Sequence, residues 1–108
     1  MNLLRPSRRY MSEDRIKRKE LYKTLGKLKT KDWLKAAENL YLKVTSPSGG
    51  TSHCHSIRMP SIPVEDIRGL IATVYDGMSN QVHQKTFKKF LDFGFPEDQI
   101  WKALEMLD

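Results

Sequence analysis

The stretch Leu40-Tyr41-Leu42-Lys43-Val44-Thr45-Ser46-Pro47-Ser48-Gly49-Gly50-Thr51-Ser52-His53-Cys54-His55-Ser56-Ile57-Arg58-Met59 decides the fold class. Leu40, Leu42 and Val44 alternate with Tyr41, Lys43 and Thr45, the two-residue period of a strand with one buried face. Pro47, Ser48, Gly49 and Gly50 suit a hairpin turn, so a second strand is expected to return antiparallel over residues 51–59. Beyond a connection holding Pro60 and Pro63, the run Leu70-Ile71-Ala72-Thr73-Val74-Tyr75 is rich in β-formers and bounded by Asp76 and Gly77. It makes a third strand.

Helical patterns flank these strands. On the N-terminal side, Ser12 reads as an N-cap, and Leu21, Leu25 and Leu28 follow as one narrow apolar stripe that ends near Gly26 and Lys29. Thr30 caps a second helix to about Asn39, with Trp33, Leu34, Ala37 and Leu40 on one face. On the C-terminal side, Ser79 or Asn80 caps a helix that turns Val82, Phe87, Phe90 and Leu91 inward and stops at Gly94. A last helix opens at Pro96 with Glu97 and Asp98 at its positive end, and buries Ile100, Trp101, Leu104 and Leu107. The expected architecture is therefore α+β, in the order ααβββαα: helices packed on one face of a three-stranded antiparallel sheet. Its core uses Trp33, Leu34, Leu42, Val44, Val74, Phe87, Phe90, Ile100, Trp101 and Leu104. All of it lies downstream of residue 29, so residues 1–29 read as a basic leader with an appended helix, and residues 30–108 as the folded domain. A chain beginning at Lys29 is expected to melt cooperatively.

With 108 residues, 39% of them hydrophobic and 30% charged, the chain has room for one core and enough apolar content to build it. No apolar run approaches a membrane span, and the opening ten residues lack a signal peptide's apolar stretch, so a soluble cytoplasmic protein is expected. Cys54 is the only cysteine, which excludes an intramolecular disulfide and a multi-cysteine zinc site. The net charge of +6 is uneven. Residues 1–30 hold ten basic and three acidic side chains, a net of +7, and residues 91–108 a net of −4. A basic arm of this kind attracts polyanions such as RNA or DNA, and it equally describes a solvated helix face.

The chemistry concentrates around His53 and His55. Imidazoles two apart on a strand share a face, with Ser52, Cys54 and Ser56 on the other. If they face solvent, they take up and release protons near neutral pH. RNA suits such a pair, because its 2′-hydroxyl is an internal nucleophile that needs a base and phosphate-holding cations but no cofactor or metal. Ser52, Arg58, Lys85, Lys88 and Lys89 are the candidate RNA contacts. Two other uses of the histidines compete: plain surface residues on an edge strand, and a zinc pair completed by His83 or Cys54. Cys54 points away from its neighbours, which weakens the zinc reading.

From Lys31 onward the chain resembles HicA-type toxins, small ribonucleases with a double-stranded-RNA-binding-domain-like fold that cleave messenger RNA and are neutralised by a HicB antitoxin. The short helix Lys31-Asp32-Trp33-Leu34-Lys35-Ala36-Ala37 and the strand after it are similar to that family's opening. Ser52-His53 after the glycine turn resembles its Gly-Ser-His-His signature, Thr86-Phe87-Lys88-Lys89-Phe90-Leu91 to Gly94 its basic helix, and Pro96 to Leu104 its closing helix. The resemblance implies metal-independent cleavage with His53 as general base and a HicB-like partner. Thr51 and Cys54 depart from the signature, and His55, on the face of His53, is positioned to serve as partner acid. The longer link at 60–69 and residues 1–30 have no family counterpart. Competing readings are a non-catalytic RNA- or DNA-binding module and, from Phe93-Gly94-Phe95, a ubiquitin-binding helical domain. The strand before that pair of helices argues against the latter.

Overall fold

The computed structural model describes residues 16–46 and 54–107. Its elements run α1 (Lys19–Lys23), α2 (Thr30–Asn39), β1 (Lys43–Thr45), β2 (His55–Arg58), β3 (Leu70–Val74), α3 (Asn80–Asp92) and α4 (Glu97–Ala103). This is the α+β order expected, with an antiparallel sheet in which β2 is central. No helix among the described residues is long and apolar enough to cross a membrane.

Local chemistry accounts for most boundaries. Of the two candidate caps of α3 it is Ser79 that acts, its hydroxyl accepting from the Val82 N–H at 3.2 Å. Helices α2, α3 and α4 all stop by one device. The chain turns left-handed at Tyr41 (φ 61°), Gly94 (φ 102°) and Glu105 (φ 62°). The next N–H then reaches back five residues: Leu42 to the Ala37 carbonyl at 2.8 Å, Phe95 to Phe90 at 3.2 Å, Met106 to Trp101 at 2.9 Å. Glycine favours this conformation; tyrosine and glutamate adopt it against a Cβ clash.

The stop at Tyr41 corrects the first strand. Leu40 is the buried cap of α2, Tyr41 is 88% exposed, and pairing begins only at Lys43. The alternation of Leu40, Leu42 and Val44 thus spans a helix end and a three-residue edge strand, and Val44 is exposed rather than core. On β3 a register shift beside Ile57 and Arg58 sets Ile71 and Ala72 together against β2, and both are buried, which strict alternation forbids and a bulge allows.

Helices cover the sheet face that carries Ile57, Ala72 and Val74. Trp33, Phe87, Phe90, Ile100 and Trp101 are fully buried between the layers, with the Phe87 and Trp101 rings stacked at 4.2 Å and Trp33 and Phe90 at 5.5 Å. Leu34 and Leu42 pack only at its margin.

The core also extends upstream of residue 29, contrary to the boundary expected there. Ile16, Tyr22 and Leu25 belong to it, at 1%, 6% and 0% exposure. The stripe of leucines does not form one helix face, because α1 ends after five residues and a 3-10 turn at Leu25–Lys27 drives Leu25 inward against α3. Gly26 permits the approach: a Cβ there would stand 3.0 Å from the Asn80 Oδ1 and 3.2 Å from its Cβ. The Glu97 carboxylate fastens the segment, accepting from the Lys17 and Arg18 N–H groups, each at 2.7 Å, while Trp101 Nε1–H donates to it at 2.9 Å. Burial pushes Glu97 upward, but these three N–H donors outweigh it and hold the carboxyl below its usual range. Arg18 adds an exposed ion pair to Asp98 at 2.8 Å.

Three outcomes follow from this structure. A chain beginning at Lys29 is now expected to lose its cooperative transition in calorimetry, and Leu25→Ala to cost about 2–5 kcal/mol in urea unfolding. Tyr41→Gly is expected to raise stability by up to about 1 kcal/mol in the same measurement, because it removes the Cβ clash of the left-handed turn.

Candidate functional site

The site is built on the N-terminal end of β2, at His55. His55 pairs with Val74 of β3, and alternation from the buried Ile57 puts it on the helix-covered face, at the sheet's end and half-buried. On its other side β1 continues one residue past Thr45, whose partner is Ser56, so Ser46 comes to lie beside His55. The Ser46 Oγ and His55 Nδ1 are 2.7 Å apart. This contact commits one ring nitrogen and leaves Nε2 for a substrate. Ser46 was legible only through the hairpin register, since no motif marks it. Ser52 and His53 lie outside the described residues.

The candidate cations divide. Lys85 and Lys89 are exposed and line a groove of about 220 Å³ with Leu70, Ile71, Ala72 and Thr73. Four consecutive strand residues reach that groove, so it follows the open backbone edge of β3 rather than one face. Lys88 turns the other way, its Nζ 5.9 Å from the centre of the Tyr22 ring. Arg58 is no surface contact at all. It is 7% exposed, and its Nη2 donates to the Val64 and Asp66 carbonyls at 2.7 and 2.8 Å. Nη2 thereby pins the 59–69 link to the sheet, while the buried Nε has no hydrogen-bond partner among the described residues. The link is further closed by Asp66, which accepts from Arg68 Nε and Nη2, and by Ile62 packed where a Gly69 Cβ would stand.

His83, considered as a third metal ligand, is instead part of the core at 3% exposure. Its Nδ1 accepts from the Trp33 Nε1–H at 2.9 Å, and its ring lies near-parallel to that indole. Among the described residues no group of three His, Cys, Asp or Glu side chains could hold a metal ion. His83 also lines a cavity of about 290 Å³ with Leu28, Lys29, Thr30, Tyr75, Asp76, Gly77 and Met78. Tyr75 directly follows Val74, the partner of His55, so cavity and histidine strand share one end of the sheet. Thr30 donates to Asp76 there at 2.7 Å. Comparison of the chain with protein-family models, with curated proteins and with solved structures finds no match.

Burial holds the His83 imidazole below its usual range, against a smaller opposing pull from Asp32. A depressed histidine contributes stability above the unfolded-state value and loses it as pH falls toward the folded one. Thermal melts are therefore expected to drop as pH is lowered from 7 through the imidazole range. His83→Asn, which keeps an acceptor for Trp33 but cannot take up a proton, is expected to flatten that drop.

Proposed function

We propose that this chain is an RNA-binding ribonuclease of toxin type, cutting messenger RNA without a metal through a histidine general base. The observation that carries the reading is the Ser46–His55 contact at the start of β2. It fixes an imidazole where the resemblance to HicA-type toxins puts the reacting histidines. In the reaction, neutral His53 takes the proton of a 2′-hydroxyl, the 2′-oxygen bonds to the adjacent phosphorus, and the bond to the 5′-oxygen breaks. Protonated His55 gives its Nε2 proton to that leaving oxygen, so the products are a 2′,3′-cyclic phosphate and a 5′-hydroxyl. Ser46 is a positioning residue that holds the ring of His55. Lys85 and Lys89, with the basic residues upstream of residue 30, supply phosphate contacts from an exposed rim. The same reading brings a HicB-like antitoxin as partner and the cytoplasm as location.

A non-catalytic RNA- or DNA-binding module is the second reading, favoured by Lys85 and Lys89 lining an open groove that His55 does not line. Incubation of single-stranded RNA with the full chain in EDTA separates the two. Wild type is expected to cut, His53→Ala and His55→Ala to cut at least about 100-fold more slowly with binding retained, and Lys85→Gln and Lys89→Gln each to lower the salt slope of binding by about one. Equal cutting by wild type and the histidine variants overturns the enzyme reading. Binding without any cutting by wild type leaves the module.

A further inference from the structure

The cavity beside His83 has no part in the reaction above, yet it is walled by polar groups. Its volume of about 290 Å³ is small for a ligand pocket. Leu28, Tyr75 and Met78 give it apolar walls on which a flat ring can lie. His83 Nδ1 is held as an acceptor by Trp33, so the neutral ring carries its hydrogen on Nε2. Among the described residues Nε2 has no protein partner. A neutral donor on a cavity wall pairs well with a neutral acceptor, a ring nitrogen or carbonyl oxygen. Asp76 stands on the same wall, accepting from Thr30. Lys29, exposed at the rim, is placed for a phosphate that stays outside.

We infer that this cavity receives one unpaired RNA base, with His83 Nε2–H donating to a ring acceptor and the ribose-phosphate chain passing over Lys29 toward His55. The inference rests on the RNA-binding reading and adds to it a residue that determines which nucleotide sits next to the cut. Stacking on apolar walls plus one fixed hydrogen bond to a base edge is the usual way single-stranded RNA is read. A cavity one residue beyond the partner of His55 places that base at the same end of the sheet as His55.

The test uses the full chain and an RNA tetramer whose 2′-hydroxyls are methylated, so that it cannot be cut. Long-range ¹H–¹⁵N spectra report His83 Nε2 directly. The tetramer is expected to shift Nε2 and the Gly77 amide saturably, and an abasic oligomer of equal charge to leave both in place. His83→Asn keeps the acceptor for Trp33 and removes the outer donor, so tetramer affinity is expected to fall about tenfold while abasic-oligomer affinity is unchanged. His83→Gln puts an amide N–H where Nε2 stood and is expected to restore affinity to within about threefold of wild type. Tetramer binding that leaves Nε2 and Gly77 unmoved overturns the base site and spares the RNA reading. Should no RNA bind, the RNA reading fails, and free nucleosides at millimolar concentration decide the cavity: a saturable shift of Nε2 upholds a base site, and no shift overturns it.

Discussion

One buried hydrogen bond joins the two halves of this chain. The Trp33 indole N–H has no access to water, and its acceptor, His83 Nδ1, comes from α3, 50 residues further on. An indole donor buried without an acceptor is costly, so α2 and α3 can close over the sheet only in the register that brings these two rings together. Once they are set, Phe90 stacks on Trp33, Phe87 on Trp101, and Tyr22 meets Phe87 edge-on at 6.0 Å. The aromatic column then supplies most of the volume between helices and sheet. Proton uptake at His83 Nδ1 removes the acceptor, which ties the stability of the core to pH through a residue that also faces the cavity.

Around that column the N-terminal segment acts as a clasp. The Glu97 carboxylate sits in the first turn of α4, where the helix dipole already favours an anion, and it also receives two main-chain N–H groups from residues 17 and 18. Ile16 and Leu25 are carried into the core on either side of this anchor. A short domain with a three-stranded sheet gains appreciably from such additional burial, since its surface is large relative to its interior.

The two ends of the sheet do different work. At one end, the β2–β3 link is closed on itself by Arg58, Asp66 and Ile62, with Arg58 Nη2 spent on two of the link's carbonyls. At the other end, Ser46 meets His55, and Tyr75 and Asp76 wall the cavity. Preorganised side chains on rigid strands, beside a concave wall, are the usual setting for chemistry or recognition.

The element order was legible from the sequence, because β2, β3, α3 and α4 each carry a strong local signal: a period of two or 3.6, a capping serine, a glycine stop, a proline at a helix start. Such signals need only neighbours in the chain. The first strand misled for the same reason, since Leu40, Leu42 and Val44 satisfy a two-residue period that the left-handed turn at Tyr41 interrupts. In the site, the histidine strand was visible, whereas Ser46 beside His55, the inward turn of Arg58, the parting of Lys88 from Lys85 and Lys89, and the cavity under His83 were not. Only tertiary packing decided these, as it decided that Ile16 and Leu25 are core. Each depends on which surface arrives from far along the chain, and a buried polar or apolar group takes the partner that the closed structure brings to it, whatever its own neighbours in sequence suggest.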